Sequence, residues 1–381
     1  MLNFKSVNGM AQAWHVLLFV CCFAVTLEIA VRLDQKAKYG VSVLDRYSYD
    51  AVLYTVDEYG VRGQPNATFE KWHLNSLGFR GPDMALRKSP GKIRIACIGA
   101  SETFGLFEQA GNEWPRQLER VLREKGLEVE VLNAALAGMS LSQRILHFQN
   151  RIVPLKPDVV IMMLEYTSYA GLTPAKLEAR RAARTVPFNP GRGGLSESIK
   201  SLRVLGAIKY SVIPKLPPAF QQAYSDLELY NKVKLREREL GPQFRSFRQV
   251  NDIEIDAFRE DIRHLYDLAA RHGVHLILAS PAFWLSERNI LIFYTNWPYI
   301  DESWLRQATT IFPNIAKDLA GQSNIPFIDL GQVIVNRESL LMKDMVHYSD
   351  EGAKSVGDAI AKMAEELPVN LRISLATLRQ P

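Results

Sequence analysis

Three cysteines in 381 residues are too few for a disulfide framework. Cys21 and Cys22 lie in an apolar run and Cys97 in a stretch that reads as a strand, so the count neither requires nor excludes an oxidising compartment. No internal repeat is visible, and a net charge of +5 is too mild to imply nucleic acid by itself. His264, His272 and His275 cluster in sequence but lack the carboxylate spacing of a metal site, so no metal and no cofactor is assigned. After the N-terminal apolar run there is no small-x-small cleavage site, and bulky Phe19 and Val20 before Cys21 rule out a lipobox.

What the chain does have is ordinary globular composition, 47% hydrophobic and 23% charged, enough for a sizeable core. Its charge is uneven: residues 176–248 hold 15 Lys and Arg against 6 Asp and Glu. That segment reads either as a surface for anionic headgroups or an acidic polymer, or as a solvated helical insertion. Residues 11–27, AQAWHVLLFVCCFAVTL, carry no formal charge with His15 neutral. Seventeen helical residues reach roughly 26 Å against a hydrocarbon core of about 30 Å, and EIAVRL lengthens the run, with Glu28 and Arg32 one turn apart and able to pair. The expectation is an uncleaved single membrane anchor. The Lys and Arg that follow it favour a cytoplasmic body by the positive-inside rule, a bias that large domains override.

Beyond the anchor (1–32), residues 33–90 have little periodicity and read as an irregular stalk or cap ending in LNSLGFRGPD. A βα rhythm then begins. Strands are expected over KIRIACIG, VEVLN (129–133), PDVVIMML (157–164), VHLILASPA (274–282) and IPFIDL (325–330), with helices over 112–126, 302–320 and about 350–366. Near-continuous apolar strands alternating with amphipathic helices predict an α/β fold with a doubly wound, mostly parallel five-stranded sheet. The α/β domain spans 91–370, interrupted by a mostly helical insertion at 166–250, and 371–381 is a tail.

In such a sheet, ligands sit beyond the carboxyl ends of the strands. The first strand ends at RIACIGASETFG, where Ser101 stands between Gly99 and Gly105. Near the C-terminus, DMVHYSDEG places Asp344 three residues before His347, so a carboxylate can hold one imidazole nitrogen while the other faces a serine. Ser349 is the expected N-cap of the last helix. Trp114, Trp284, Trp297, Trp304, Tyr294 and Tyr299 read either as a sugar-stacking wall or as core and loop anchors.

IGASETFG, the Gly of NAALAG, PDVVIMMLEYTS and DMVHYSDEG resemble, in order and rough spacing, the four blocks of the SGNH (GDSL-like) hydrolases, and NSLGFRGPD resembles a lead-in of membrane-anchored bacterial members. The resemblance covers residues 92–164 and 273–366. It implies a flavodoxin-like SGNH fold with Ser101 as nucleophile, His347 as base, Asp344 as its partner, and the N–H groups of Ser101 and Gly138 in the oxyanion hole. One block departs: where the family has Gly-x-Asn-Asp, this chain has Glu165, Tyr166, Thr167 and Ser168, so Thr167 replaces an Asn donor, and Glu165, if turned inward, opposes a developing anion. The implied activity is a serine esterase that removes small acyl groups, acetyl above all, from carbohydrate or related esters. An O-acyltransferase of cell-envelope or exported polysaccharide, working with a membrane-protein partner, and a non-catalytic scaffold that kept the fold stay open. The resemblance places the body outside the cytoplasm, in the bacterial periplasm, against the charge rule.

Overall fold

The computed structural model describes residues 4–40, 43, 49–170, 203–204 and 213–365. They fall into two compact units, Met1–Tyr54 with Asn189–Leu227, and Thr55–Phe188 with Glu228–Pro381. The first unit contains the 36-residue helix α1 (Phe4–Tyr39). Its segment Trp14–Tyr39, 26 residues, is long and apolar enough to cross a membrane. By length and composition it suits a membrane anchor and a signal sequence alike, and large side chains from Trp14 to Phe23 are exposed along it. The expected Glu28–Arg32 pair forms at 2.6 Å, and Glu28 also accepts the N–H groups of Arg203 and Val204.

The second unit is built on a parallel sheet of β1 (Ile93–Ile98), β2 (Val129–Asn133), β3 (Val159–Met163), β4 (His275–Ser280) and β5 (Phe327–Asp329). The spatial order is β2-β1-β3-β4-β5 with every pairing parallel, which is the flavodoxin-like doubly wound order and fits the SGNH fold. Alternation along each strand divides the core in two. Ile93, Ile95, Cys97, Ile161 and Met163 face α3 (Trp114–Glu124) and α7 (Asp350–Glu365) through Trp114, Leu118 and Val356. Ala96, Ile98, Val160 and Met162 face α4 (Leu141–His147), α5 (Asp252–Arg271) and α6 (Glu302–Gln322) through Ile145, Phe258 and Phe312.

Local sequence sets the helix ends. Ser140 with Gln143 and Asn251 with Glu254 form reciprocal capping boxes, and Ser349 Oγ accepts the Gly352 N–H at 3.1 Å, as expected of an N-cap. Gly357 lets α7 lie against α3, since a Cβ there would stand 2.7 Å from Gln117 Cβ.

Residues 55–90, read from sequence as stalk, belong to the second unit, and Phe79 is buried in its core. Arg80 is bridged to Asn133 at the end of β2. Of the expected insertion, residues 171–202 and 205–212 lie outside the described residues. The part beyond them contains a 23-residue helix, Pro218–Leu240, with no buried side chain. Part of its charge is paired internally, Lys234 with Glu237 and Arg236 with Glu239.

Candidate active site

β1 ends at Ile98, and Ser101 opens a single helical turn, α2 (Ser101–Phe104). This turn is held from below by Glu165, just past β3. Its Oε2 accepts the Ala100 N–H at 2.6 Å, while Oε1 accepts the Thr103 N–H at 3.0 Å and the Thr103 hydroxyl at 2.5 Å. Gly99 is needed for space rather than for backbone conformation: a Cβ would stand 2.0 Å from Thr103 Oγ1 and 2.3 Å from Glu165 Oε1. Gly105 is needed for both reasons. It ends the turn at φ 84°, and a Cβ would stand 2.5 Å from Glu113 Cβ.

His347 and Asp344 lie together in the loop before α7. Asp344 Oδ1 accepts the N–H groups of Val346 and His347, and the two carboxylate oxygens lie 2.9 and 2.8 Å from His347 Nδ1. Burial opposes the Asp344 charge, but the His347 ring and the two N–H groups prevail and hold its carboxyl below the ordinary range. An ionised Asp344 makes Nδ1 the protonated nitrogen and leaves Nε2 as the acceptor. Nε2 is buried and has no partner among the described residues. Phe107, six residues after Ser101, packs on the imidazole with ring centroids 5.0 Å apart. The Ser101 hydroxyl donates instead to Glu102 Oε2 at 2.9 Å.

Gly138 follows β2 in the left-handed region, φ 85°. Neither its N–H nor that of Ser101 donates to another protein group among the described residues. Thr167 differs from the expectation of an oxyanion donor. Its hydroxyl donates to Met139 O at 2.8 Å and accepts from Arg144, so its one proton is already used. Glu165 differs too, because its carboxylate is turned onto the N–H groups of Ala100 and Thr103.

Four buried residues escaped the sequence reading. Arg144 is fully buried and donates to Met139 O, Met163 O, Thr167 Oγ1 and Ser168 Oγ, tying the second block to the third. Arg80 donates to Phe104 O and Gly105 O and pairs with Glu113 at 3.4 Å, fixing the loop that leaves Ser101. Arg80 lies in the very stretch, NSLGFRGPD, that the sequence singled out without giving it a role. Glu108 lies in that loop, and burial pushes its carboxyl up to about 7 despite the charge of Arg80. Glu102 is the fourth. The aromatic wall does not assemble: Trp114 and Trp304 are buried in opposite core layers, and Tyr294 is buried with Trp304.

No protein-family profile and no curated protein matches the sequence. Solved structures do. A lipase/acylhydrolase from Enterococcus faecalis is 15% identical with a TM-score of 0.41, covering 72% of this chain and 96% of that one. A carbohydrate acetylesterase family member from Sinorhizobium meliloti is 13% identical with a TM-score of 0.39, over 72% and 98%. A GDSL-like lipase from Bacteroides thetaiotaomicron is 15% identical with a TM-score of 0.37, over 72% and 89%.

Proposed function

We propose that this chain is a serine-dependent ester hydrolase of SGNH type that removes small acyl groups, acetyl above all, from carbohydrate or related esters. One observation carries the reading. His347 has one nitrogen fixed by Asp344 and the other buried without a partner, and its ring lies against the loop that leaves Ser101. Ser101 Oγ attacks the ester carbonyl carbon, its proton passes to His347 Nε2, and the carbonyl π pair becomes an oxyanion facing the N–H groups of Ser101 and Gly138. Collapse breaks the bond to the leaving alkoxide, which takes the proton from Nε2, and water then releases the acyl group by the same steps in reverse order. The N-terminal helix, on this reading, anchors the catalytic domain at the extracytoplasmic face of a membrane.

Transfer to a glycan hydroxyl is the second reading, favoured by the commitment of Thr167 to Met139 O. With the Thr167 proton committed, the hole lacks the donor expected at that position, a contribution typically worth about 100- to 1000-fold in turnover. A slow reaction with water then suits an enzyme whose acceptor is held by other means. The test uses the full-length chain in detergent with 4-nitrophenyl acetate, beside Ser101→Ala. The expected result is product release with acetyl added to Ser101, and silence in the variant. An unmodified wild-type protein that releases no product removes the proposal. An adduct that persists in water and is discharged by a glycan selects transfer.

A further inference from the structure

Two carboxyl groups lie buried beside Ser101, and the triad uses neither. Glu102 is 1% and Glu165 0% exposed. Glu165 accepts from three donors, two N–H groups and a hydroxyl, which is the pattern of an ionised carboxylate. Glu102 differs: Oε2 accepts the Ser101 hydroxyl, while Oε1 is buried and meets no donor. Among the described residues the buried cation acting on both is Arg144, whose hydrogen bonds run to Met139 O, Met163 O, Thr167 Oγ1 and Ser168 Oγ rather than to either carboxyl. Among the described residues the buried phenols of Tyr166, Tyr169 and Tyr348 also lie within electrostatic reach of Glu102, each pushed up by burial and therefore neutral.

Charge balance decides which of the two keeps a proton. Two buried carboxylates against one guanidinium would leave a buried anion uncompensated, and a group so placed keeps its proton instead. Glu165 is fully occupied as an acceptor, so the proton belongs on Glu102, whose Oε1 has nothing to accept. Burial first, then the charge and hydrogen bond of Glu165, push the Glu102 carboxyl well above its ordinary range.

We propose that Glu102, held as a neutral acid against Glu165, is the residue that holds the Ser101 hydroxyl in the resting enzyme and keeps negative charge away from the oxyanion formed beside it. The inference rests on Ser101 being the nucleophile and adds a second contact to its oxygen. When an ester binds, the Ser101 O–H turns from Glu102 Oε2 to His347 Nε2. The proton moves to that nitrogen as Oγ bonds to carbon, and the Glu102 proton stays where it is throughout. Ionisation of Glu102 would set a full negative charge 2.9 Å from the attacking oxygen, as the oxyanion develops. At such spacing and an effective dielectric of about 20, like-charge repulsion slows the step by about 100-fold or more.

Activity is supported while Glu102 holds its proton and is lost as pH rises through its ionisation. The experiment measures kcat/KM for 4-nitrophenyl acetate against pH, in the full-length wild type and in Glu102→Gln, with a fluorophosphonate labelling Ser101 in both. Glutamine keeps the shape and is neutral at every pH. The expected result is an alkaline limb in the wild type that disappears in Glu102→Gln, with at least about a tenth of the neutral-pH rate retained. A merely structural role lowers the rate equally at all pH and leaves the limb in place. If Ser101 is labelled and the limb is the same in both proteins, the Glu102 assignment is wrong and the nucleophile stands. If Ser101 is not labelled in the wild type, both readings fall. Should the variant not fold, infrared titration of the wild type decides. A carboxylic-acid C=O band must survive past the ionisation of Glu108 at about 7 and disappear together with activity. Absence of such a band overturns the proposal.

Discussion

Arg80→Met removes a guanidinium while keeping most of the packed stem, and its effect can be worked from the contacts. Arg80 is 3% exposed; Nη1 donates to Phe104 O at 2.7 Å and to Gly105 O, and Nη2 lies 3.4 Å from Glu113 Oε2. Its contacts to Glu108 O and Gln109 O, at 3.5 Å, are at the outer limit of a hydrogen bond and add little. Two carbonyls lose a charged donor, a type of bond worth about 1.5–3 kcal/mol each. Glu113, 1% exposed, is left with no cation, a loss of about 3–5 kcal/mol when one partner of a buried pair is removed. These contributions share one side chain and do not add, so the expected loss is about 4 kcal/mol.

Urea unfolding measures that loss, and a double-mutant cycle locates it. In a Glu113→Gln background the same Arg80→Met change should cost about 1–3 kcal/mol less, because the stranded anion is gone. Turnover on 4-nitrophenyl acetate should also fall under conditions where the protein is fully folded, since the released loop carries Phe107 against His347. A loss under about 1 kcal/mol, or a cycle with no coupling, refutes the reasoning. So does a fully folded variant with wild-type turnover.

Burial raises the Glu108 carboxyl from 4.5 to about 7, so its contribution to stability is fully present below the lower value and lost as pH rises through the upper. Relative to Glu108→Gln, the wild type should lose up to about 3 kcal/mol between those two pH values and nothing further above them, as chemical denaturation at a series of pH values will register. Gly99→Ala drives a methyl into Thr103 Oγ1 and Glu165 Oε1, both fixed; destabilisation of about 1–3 kcal/mol is expected, and a neutral substitution would mean that Glu165 does not hold the turn. Asp344→Asn removes the charge that fixes the His347 tautomer, and kcat should drop by roughly 10,000-fold with KM little changed. A drop under tenfold would take Asp344 out of the triad.

The sheet was legible because a strand covered on both faces is apolar over most of its length, with Arg94 the exception in β1, where Glu130 and three backbone carbonyls receive its guanidinium. IRIACI and VVIMM announce themselves, and each observed strand lies within its expected run. The helices came within two residues of expectation where a cap or a glycine stopped them. That Ser101, Gly138, Asp344 and His347 form one site is what the family resemblance implies, and a general property of the fold supports it. A doubly wound sheet gathers the loops at the carboxyl ends of its strands, so residues far apart in sequence arrive at one edge. What could not be read were contacts made by single side chains across the fold. Arg80 belongs to a stretch without periodicity, and only the folded chain shows its guanidinium on Phe104 and Gly105. Arg144 sits on a short amphipathic helix, where an arginine usually means solvent.

Glu165 shows why residue type at a position matched by resemblance is not enough. In place of a glycine, beside a missing Asn, the sequence offered a charge that would oppose an oxyanion. The charge instead stabilises the backbone turn that presents the serine: Ala100 and Thr103 give their N–H groups to it, and Gly99 makes the room. One substitution therefore implies others. A carboxylate at 165 requires glycine at 99, a donor at 103, and the cation of Arg144 within reach. It also sets the terms on which Glu102 can sit beside Ser101, since a second buried anion there would be unsupported. The block that departs from the resembled pattern holds the turn that carries Ser101, and its parts have to change together.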